Sequence, residues 1–414
     1  MATKNGTKVL TEILNIEGIK VISHSQKPGI GIMLQVDSIS KESHCHRCGT
    51  KSHRLHQNHR YVVKDLSWGE KPVFLEINRR QFKCKKCGKP FSEKLDFVMN
   101  RRTYTKRLAT QTIQEVLKSN IHSVAKKGVV TTEEIEKMLE DASLQLSSKP
   151  SALKKLGIDE IALIKGQGNY CAVLIDLETS KLITIIPGRT QVDIKKVLIS
   201  WGTEVLEQIE EVSIDLWRGY KTLIMDLIPN VQVVADRFHV ALQVNKELDT
   251  QRKREKITAT DLEKNTKLRS NKAECKQLLE GLNKSKYPLL KNEQDLNDQQ
   301  KIKLMQVKTV CPTLKIMHEL KEDFRQIFEK TTNWLKALFK IGQWHKKAQK
   351  YFPNSGNTII QWLDEIIAYF DNRTTSGVVE GINNKLKLIK RSAYGFRNFD
   401  NYKNRCLLTW HFNC

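Results

Sequence analysis

Two short knuckles constrain this chain more than any other feature: Cys45-His46-Arg47-Cys48-Gly49 and Cys84-Lys85-Lys86-Cys87-Gly88. Each places two thiols on a tight turn closed by glycine, whose backbone freedom suits a turn that aims both sulfurs inward. Together Cys45, Cys48, Cys84 and Cys87 make one tetrahedral set for a structural Zn²⁺. The chain between the knuckles must therefore fold back on itself. Its strand-like run at 72–77 predicts a β-hairpin or small sheet bridging them. His44, His46, His53, His56 and His59 are alternative ligands, but four cysteines at matched spacing are the simplest set.

Charge narrows the partner. Lys and Arg number 70 against 46 Asp and Glu, a formal +24 with a pI near 9.6. Such a balance points to a polyanion, with nucleic acid ahead of a membrane surface. Between residues 41 and 110 there are 18 Lys and Arg against 6 Asp and Glu, half of the chain's net charge, which favours phosphate contact by the knuckle region. No apolar run is long enough to span a bilayer and the first residues lead into no signal-peptide core, so no membrane partner and a cytoplasmic location are expected. The odd count of nine cysteines fits a reducing compartment. Cys171, Cys275, Cys311, Cys406 and Cys414 read as buried small hydrophobes or surface thiols.

The length of 414 residues allows two to four domains. A strand is expected at 30–36 after the turn at 27–29. Residues 103–146 read as helices, with a glycine turn at Gly128 and a capping box in which Thr131 is N-cap and Glu134 lies three residues on. Helix, turn and helix give the outline of a helix-turn-helix, although Glu133, Glu134, Glu136, Glu140 and Asp141 complement a phosphate-lined groove poorly. The polar, proline-containing stretch 147–151 marks a domain boundary.

After that boundary come strands at 156–164, 170–176 and 182–187, a helix at 193–206, and a strand at 211–214 ending on Asp215. A helix at 220–227 and a strand at 231–235 ending on Asp236 follow. This is the order of a ribonuclease-H-like fold, in which the first strand and the end of the fourth are neighbours. Asp159 and Asp215 would then meet. Like charges brought together in a basic protein call for a cation, and a pair of divalent ions arranged for in-line phosphoryl transfer supplies one. Glu160, Asp176 and Asp193 read instead as hairpin-surface or helix-start residues. Asp236, Arg237 and His239 form a supporting cluster near the same edge, where Asp236 itself is a further candidate for metal contact.

From 240 to 370 the sequence is helical, with Trp334, Leu335, Leu338 and Phe339, and again Trp362, Ile366, Tyr369 and Phe370, expected to pack in a core. The helix that follows carries Val379, Ile382, Leu386 and Ile389 on one face and Glu380, Asn384, Lys387 and Arg391 on the other. A carboxylate followed by amide and cations suits a metal ligand beside a phosphate backbone.

The chain resembles the bacterial insertion-sequence transposases of the ISL3 group, which carry a DDE catalytic domain. The resemblance runs almost end to end, through both knuckles, Gly157-Ile158-Asp159-Glu160, Ser213-Ile214-Asp215 and Asp236-Arg237-Phe238-His239. It is most specific at Glu380-Gly381-Ile382-Asn383-Asn384-Lys385, Lys390-Arg391 and Tyr394-Gly395-Phe396. It implies a metal-binding triad of Asp159, Asp215 and Glu380 holding two Mg²⁺ or Mn²⁺ ions. It further implies phosphodiester hydrolysis followed by strand transfer, and double-stranded DNA partners in the form of the element's terminal inverted repeats and a target. A homo-oligomer and a bacterial, nucleoid-associated location follow from the same likeness. Asn384, Lys387, Lys390, Arg391 and Arg397 are the expected DNA contacts.

The expected architecture is α+β and multidomain. A zinc-ribbon-like module spans 1–100 and a helix-turn-helix-like module 101–150. A ribonuclease-H-like core follows at 151–239, with a helical insertion at 240–372 and a final catalytic piece at 373–414 bearing Glu380. Two other classes share parts of this pattern. A zinc-ribbon DNA-binding regulator, or an inactive derivative, needs only the knuckles, and a ribonuclease-H-like nuclease without strand transfer needs only the triad.

Overall fold

The computed structural model describes residues 4–99, 101–146, 149–162, 170–265, 269–374, 377–393, 396 and 398–412. The chain divides into two compact units, Met1–Leu146 with Leu388–Cys414, and Ser147–Lys387. The piece expected at 373–414 is thus shared between them, because the division falls inside the helix Gly377–Ser392. Among the described residues no helix is long and apolar enough to cross a membrane.

In the first unit, strands β1 (Ile19–Lys27), β2 (Gly31–Ser38), β3 (Leu55–Trp68), β4 (Lys71–Lys83) and β5 (Pro90–Ser92) form one sheet. Its order is β1-β2-β4-β3, with β5 pairing β4. Alternate residues of β4, Val73, Leu75 and Ile77, turn inward onto Leu34, Val36 and Val63, giving the two-residue period of a half-buried sheet. The β3–β4 hairpin answers the long gap between the knuckles. One knuckle precedes β3 and the other follows β4, and the antiparallel pairing of Leu55 with Phe82 brings both to the same end.

The helices Lys106–Lys118, Ile121–Ala125 and Thr132–Ser143 follow, each begun by a side-chain cap from Thr105, Asn120 or Thr131. The expected capping box is present, since Thr131 and Glu134 each accept from the other's backbone N–H. The acidity of Thr132–Ser143 also finds its use. Glu134 pairs with Lys64 at 2.7 Å, and Asp141 takes both arms of Arg102 at 2.7 Å. The C-terminal helix Phe399–His411 packs on this group through Leu408, and Arg405 donates to the carbonyls of Val116 and Ser119 at the end of Lys106–Lys118.

In the second unit, β6 (Lys155–Ala162), β7 (Tyr170–Asp176), β8 (Lys181–Ile186), β9 (Glu211–Ile214) and β10 (Gln232–Ala235) make a mixed sheet of order β8-β7-β6-β9-β10. The first three are antiparallel; β9 is parallel to both β6 and β10. Strand β9 is buried along its whole length, Glu211 and Ser213 included, as the central strand of a sheet covered on both faces. The helix expected over 193–206 is two helices, Gln191–Trp201 and Thr203–Leu206, because Gly202 between them takes φ +82°.

A long helical stretch from Arg237 to Asn372 completes the unit. Trp362, Ile366, Tyr369 and Phe370 are core residues as expected. The aromatic cluster of Trp334–Ala348 is not: Trp334, Leu335 and Phe339 are exposed and Leu338 is half-buried. The helix turns Ala337, Ile341, Trp344 and Ala348 inward instead, a stripe of the same 3–4 spacing rotated by most of a half-turn. Cys171, Cys275, Cys311 and Cys406 are buried, while Cys414 lies outside the described residues.

One buried charge organises the first unit. Asp65 is wholly buried and receives the Thr105 hydroxyl at 2.7 Å and the Arg107 guanidinium, which also donates to the Leu14 carbonyl at 2.7 Å. Arg107→Ala would leave that carboxylate uncompensated, an expected cost of about 3 kcal/mol or more in urea unfolding. Replacing both residues by leucine is expected to recover most of the loss, and equal cost for single and double variants would contradict the assignment.

Candidate metal and active sites

The knuckles are geometric twins. Gly49 and Gly88 take φ +71° and +69°, and their N–H groups return to the Cys45 and Cys84 carbonyls at 2.8 and 3.1 Å. Facing sulfurs stand 3.8 Å apart for Cys45 and Cys87 and 3.5 Å for Cys48 and Cys84. Four thiolates about 2.3 Å from one tetrahedral zinc stand about 3.8 Å from each other, so the four sulfurs already have the spacing of a zinc site. The side-chain and backbone contacts of Thr50 pull the Cys48 thiol down to about 6, toward the thiolate that binds metal. None of the neighbouring histidines joins this group among the described residues.

The second site grows from strand register. In the parallel pair of β6 and β9, Glu211 aligns with Lys155, Val212 with Leu156 and Ser213 with Gly157. Carried two residues further, the same register sets Asp159 level with Asp215. Ligand atoms of Asp159, Asp215 and His239 all lie within 4.8 Å of one another. Both aspartates are strongly desolvated. Burial, then the charge of Asp215, pushes Asp159 up to about 6, and burial also raises Asp215 despite the His239 contact.

His239 belongs to the first turn of Arg237–Asn265, one turn after β10. Its Nδ1 lies 2.8 Å from Asp215 and 3.3 Å from Asp236. Burial alone would lower this imidazole, yet the two carboxylates hold it cationic, raised to about 10. Asp236 accepts from the Phe238 N–H at 2.8 Å and so starts the helix that carries His239. Arg237 faces away, toward Glu329 at 3.6 Å and the ring of Phe328.

The helix Gly377–Ser392 reaches the same carboxylates through Asn383, a residue the sequence analysis passed over. Its Nδ2 donates to Asp159, and its own buried Oδ1 has no partner among the described residues. Glu380 sits one turn earlier on the same side, exposed, and is not among the three clustered ligands. The expected stripe of Val379, Ile382, Leu386 and Ile389 is buried, with Asn384, Lys387 and Arg391 exposed and Lys390 half-buried. Arg397 lies outside the described residues. The three-residue step from Glu380 to Asn383 was the available signal, because it puts both side chains on one helix face.

Glu160 also departs from expectation. It is no hairpin-surface acid: it accepts from Arg189 and from the Tyr220 hydroxyl, both at 2.8 Å, beside the Asp215 pocket. Asp176 and Asp193 do serve a hairpin turn and a helix start.

Residues 156–406 match the sequence profile of the ISL3 group of DDE transposases, a family described as transposase. The chain belongs to the ISL3 transposases. Residues 41–87 match the zinc-finger profile of the transposases IS204, IS1001, IS1096 and IS1165, the segment that holds all four clustered cysteines. The transposase for insertion sequence element IS1001 of Bordetella parapertussis is 26% identical over 389 residues, 92% of this chain and 92% of its own. Transposases for element IS1557 from two strains of Mycobacterium tuberculosis are 27% identical over 260 residues, 59% of this chain and 57% of theirs. As an ISL3 transposase the protein acts on DNA, and its zinc-finger profile and four-sulfur geometry agree on a structural zinc.

Metal analysis of the folded transposase is therefore expected to return about one zinc per chain, and Cys84→Ala to lose it. Full zinc content in that variant would contradict the four-cysteine site.

Proposed function

We propose that Ser147–Lys387 is a ribonuclease-H-like catalytic domain, interrupted by the helical insertion of 240–372, that cuts and joins DNA with Asp159, Asp215 and Glu380 as its metal-binding triad. The observation that carries this reading is the hydrogen bond from Asn383 to Asp159, because it ties the helix bearing Glu380 to the strand pair bearing both aspartates. Buried Asp159 and half-buried Asp215, completed by the exposed Glu380 one turn before Asn383, would make a carboxylate donor set, which suits Mg²⁺ or Mn²⁺. Asp215 Oδ1 lies 2.8 Å from His239 Nδ1, so a metal ion bound there would take the place of that contact.

When bound, such ions lower the pKa of an attacking water or 3′ hydroxyl and stabilise the leaving oxygen. The chain's part is to hold geometry. Asn383 fixes the Asp159 carboxylate, Asp236 anchors the turn that carries His239, and His239 offsets the charge of Asp215 before metal arrives. The reaction is hydrolysis of a phosphodiester at the element's end, then attack of the freed 3′ hydroxyl on a target strand.

Recognition of the terminal inverted repeats falls to the first unit, where the basic excess of 41–110 lies. The acids of Thr132–Ser143 serve ion pairs, so we assign the ribbon, rather than the helix-turn-helix-like helices, the larger share of phosphate contact. Asn384, Lys387, Lys390 and Arg391, with Arg397 beyond them, would follow the strand leaving the active site. Two ends are brought together by an oligomer of the transposase.

Purified protein with end DNA and Mn²⁺ tests the triad. Asp159→Ala, Asp215→Ala and Glu380→Ala are each expected to abolish cleavage while sparing DNA binding; cleavage by all three would overturn the mechanism. Lys387→Ala and Arg391→Ala are expected to weaken binding and flatten its salt dependence. A pH series adds an independent readout. Because folding raises Asp159 to about 6, metal must displace a proton below that pH. Mn²⁺ affinity is expected to rise about fivefold between about pH 5 and 6 and to level off near about pH 7. An affinity that is flat across that interval would remove Asp159 as a ligand.

A further inference from the structure

Beside the carboxylates lies a cavity of about 380 Å³, shared by Glu160, Arg189, Asp215, Trp217 and His239. One wall is unusual. Trp217, two residues after Asp215, keeps 43% of its surface exposed although it is the kind of side chain a core most readily takes. It is exposed without being loose. Its ring stands edge-to-face with Tyr220 at 4.5 Å, and its backbone N–H returns to the Asp215 carbonyl at 2.7 Å. A Cβ on Gly219 would come within 2.6 Å of the indole, so the bare backbone there is what lets the ring lie down.

Opposite chemistry sits in the same cavity. The Arg189 guanidinium is held by Glu160 at 2.8 Å and stacks over the Tyr170 ring at 4.5 Å, yet its side chain remains 54% exposed. The cavity thus offers a flat aromatic face, an anchored cation and the Asp215 carboxylate within one small volume. A planar heteroaromatic ring joined to an anion has that complementarity. A base inside a duplex has both faces covered by its stacked neighbours, so the ring must leave the stack to lie on the indole.

From this geometry we infer that Trp217 is a stacking platform for one unpaired nucleobase of the DNA strand being cut, with Arg189 on the adjoining phosphate. The inference rests on the catalytic reading above. A preformed wall binds without the ordering cost a mobile loop would carry, and stacking is tolerant of base identity. Trp217 therefore positions the strand beside the metal site without dictating sequence.

The test couples a missing base to a missing ring. Full-length, zinc-loaded protein is titrated without added Mg²⁺ or Mn²⁺, with end DNA that carries a single abasic site, stepped along both strands around the cut. On intact DNA, Trp217→Ala is expected to bind about fivefold to a hundredfold more weakly than wild type. At one abasic position that ratio is expected to fall to about one, since the ring then has nothing to stack on. Trp217→Leu should behave like Trp217→Ala, and Trp217→Phe should restore most of the affinity, which separates stacking from loss of fold. A ratio near one on intact DNA, or a ratio unchanged at every abasic position, overturns the inference. Mn²⁺-dependent cleavage of the same DNA by wild type is measured alongside. Its absence counts against the catalytic reading, whereas cleavage with an unchanged ratio removes only the stacking site.

Discussion

The parallel pairing of β6 with β9 is the contact on which the second unit depends, because its register brings two aspartates, one buried and one half-buried, to one place. Two unit charges within 4.8 Å repel by about 3.5 kcal/mol at an effective dielectric near 20. Desolvation of both carboxylates adds to that penalty. A sheet would not keep such a pair for packing, since apolar residues at the same positions would be better tolerated. The surrounding residues are arranged to manage the charge: His239 lies between Asp215 and Asp236, Asn383 donates to Asp159, and the Glu160 N–H donates to Asp159 at 2.7 Å. Each offsets part of the repulsion while leaving ligand atoms close together.

The first unit solves a different problem with the same economy of parts. Its hairpin is long enough to carry two knuckles to one end, where the four sulfurs stand at zinc-binding spacing. Asp65, wholly buried in that unit's sheet, is matched by Arg107 and Thr105, which ties the sheet to the following helices. Acidic residues that look unsuited to a DNA-binding segment, Glu134 and Asp141, are engaged by Lys64 and Arg102 instead. The net positive charge of the region is then left to the surface.

Local chemistry was the legible part of this chain. Knuckle spacing, the Thr131 capping box and the strand order leading to Asp159 and Asp215 are each written in a few neighbouring residues, and the structure has all of them. What a linear reading misses is rotation and long-range partnership. The face that Trp334–Ala348 buries was displaced because two apolar stripes of equal period run along one helix, and only packing chooses between them. Glu160 looked like a surface acid because Arg189 and Tyr220 are 29 and 60 residues away in sequence. Asn383 was overshadowed by the carboxylate one turn before it, although the helix geometry that selects Glu380 selects Asn383 as well.

Diffraction from crystals grown with Mn²⁺, recorded at the manganese absorption edge, tests the central claim most directly. The account expects anomalous density between Asp159 and Asp215, with the Glu380 side chain turned toward it from its exposed position. Manganese bound elsewhere, or carboxylates still closed on His239 with no anomalous density at saturating metal, would contradict it.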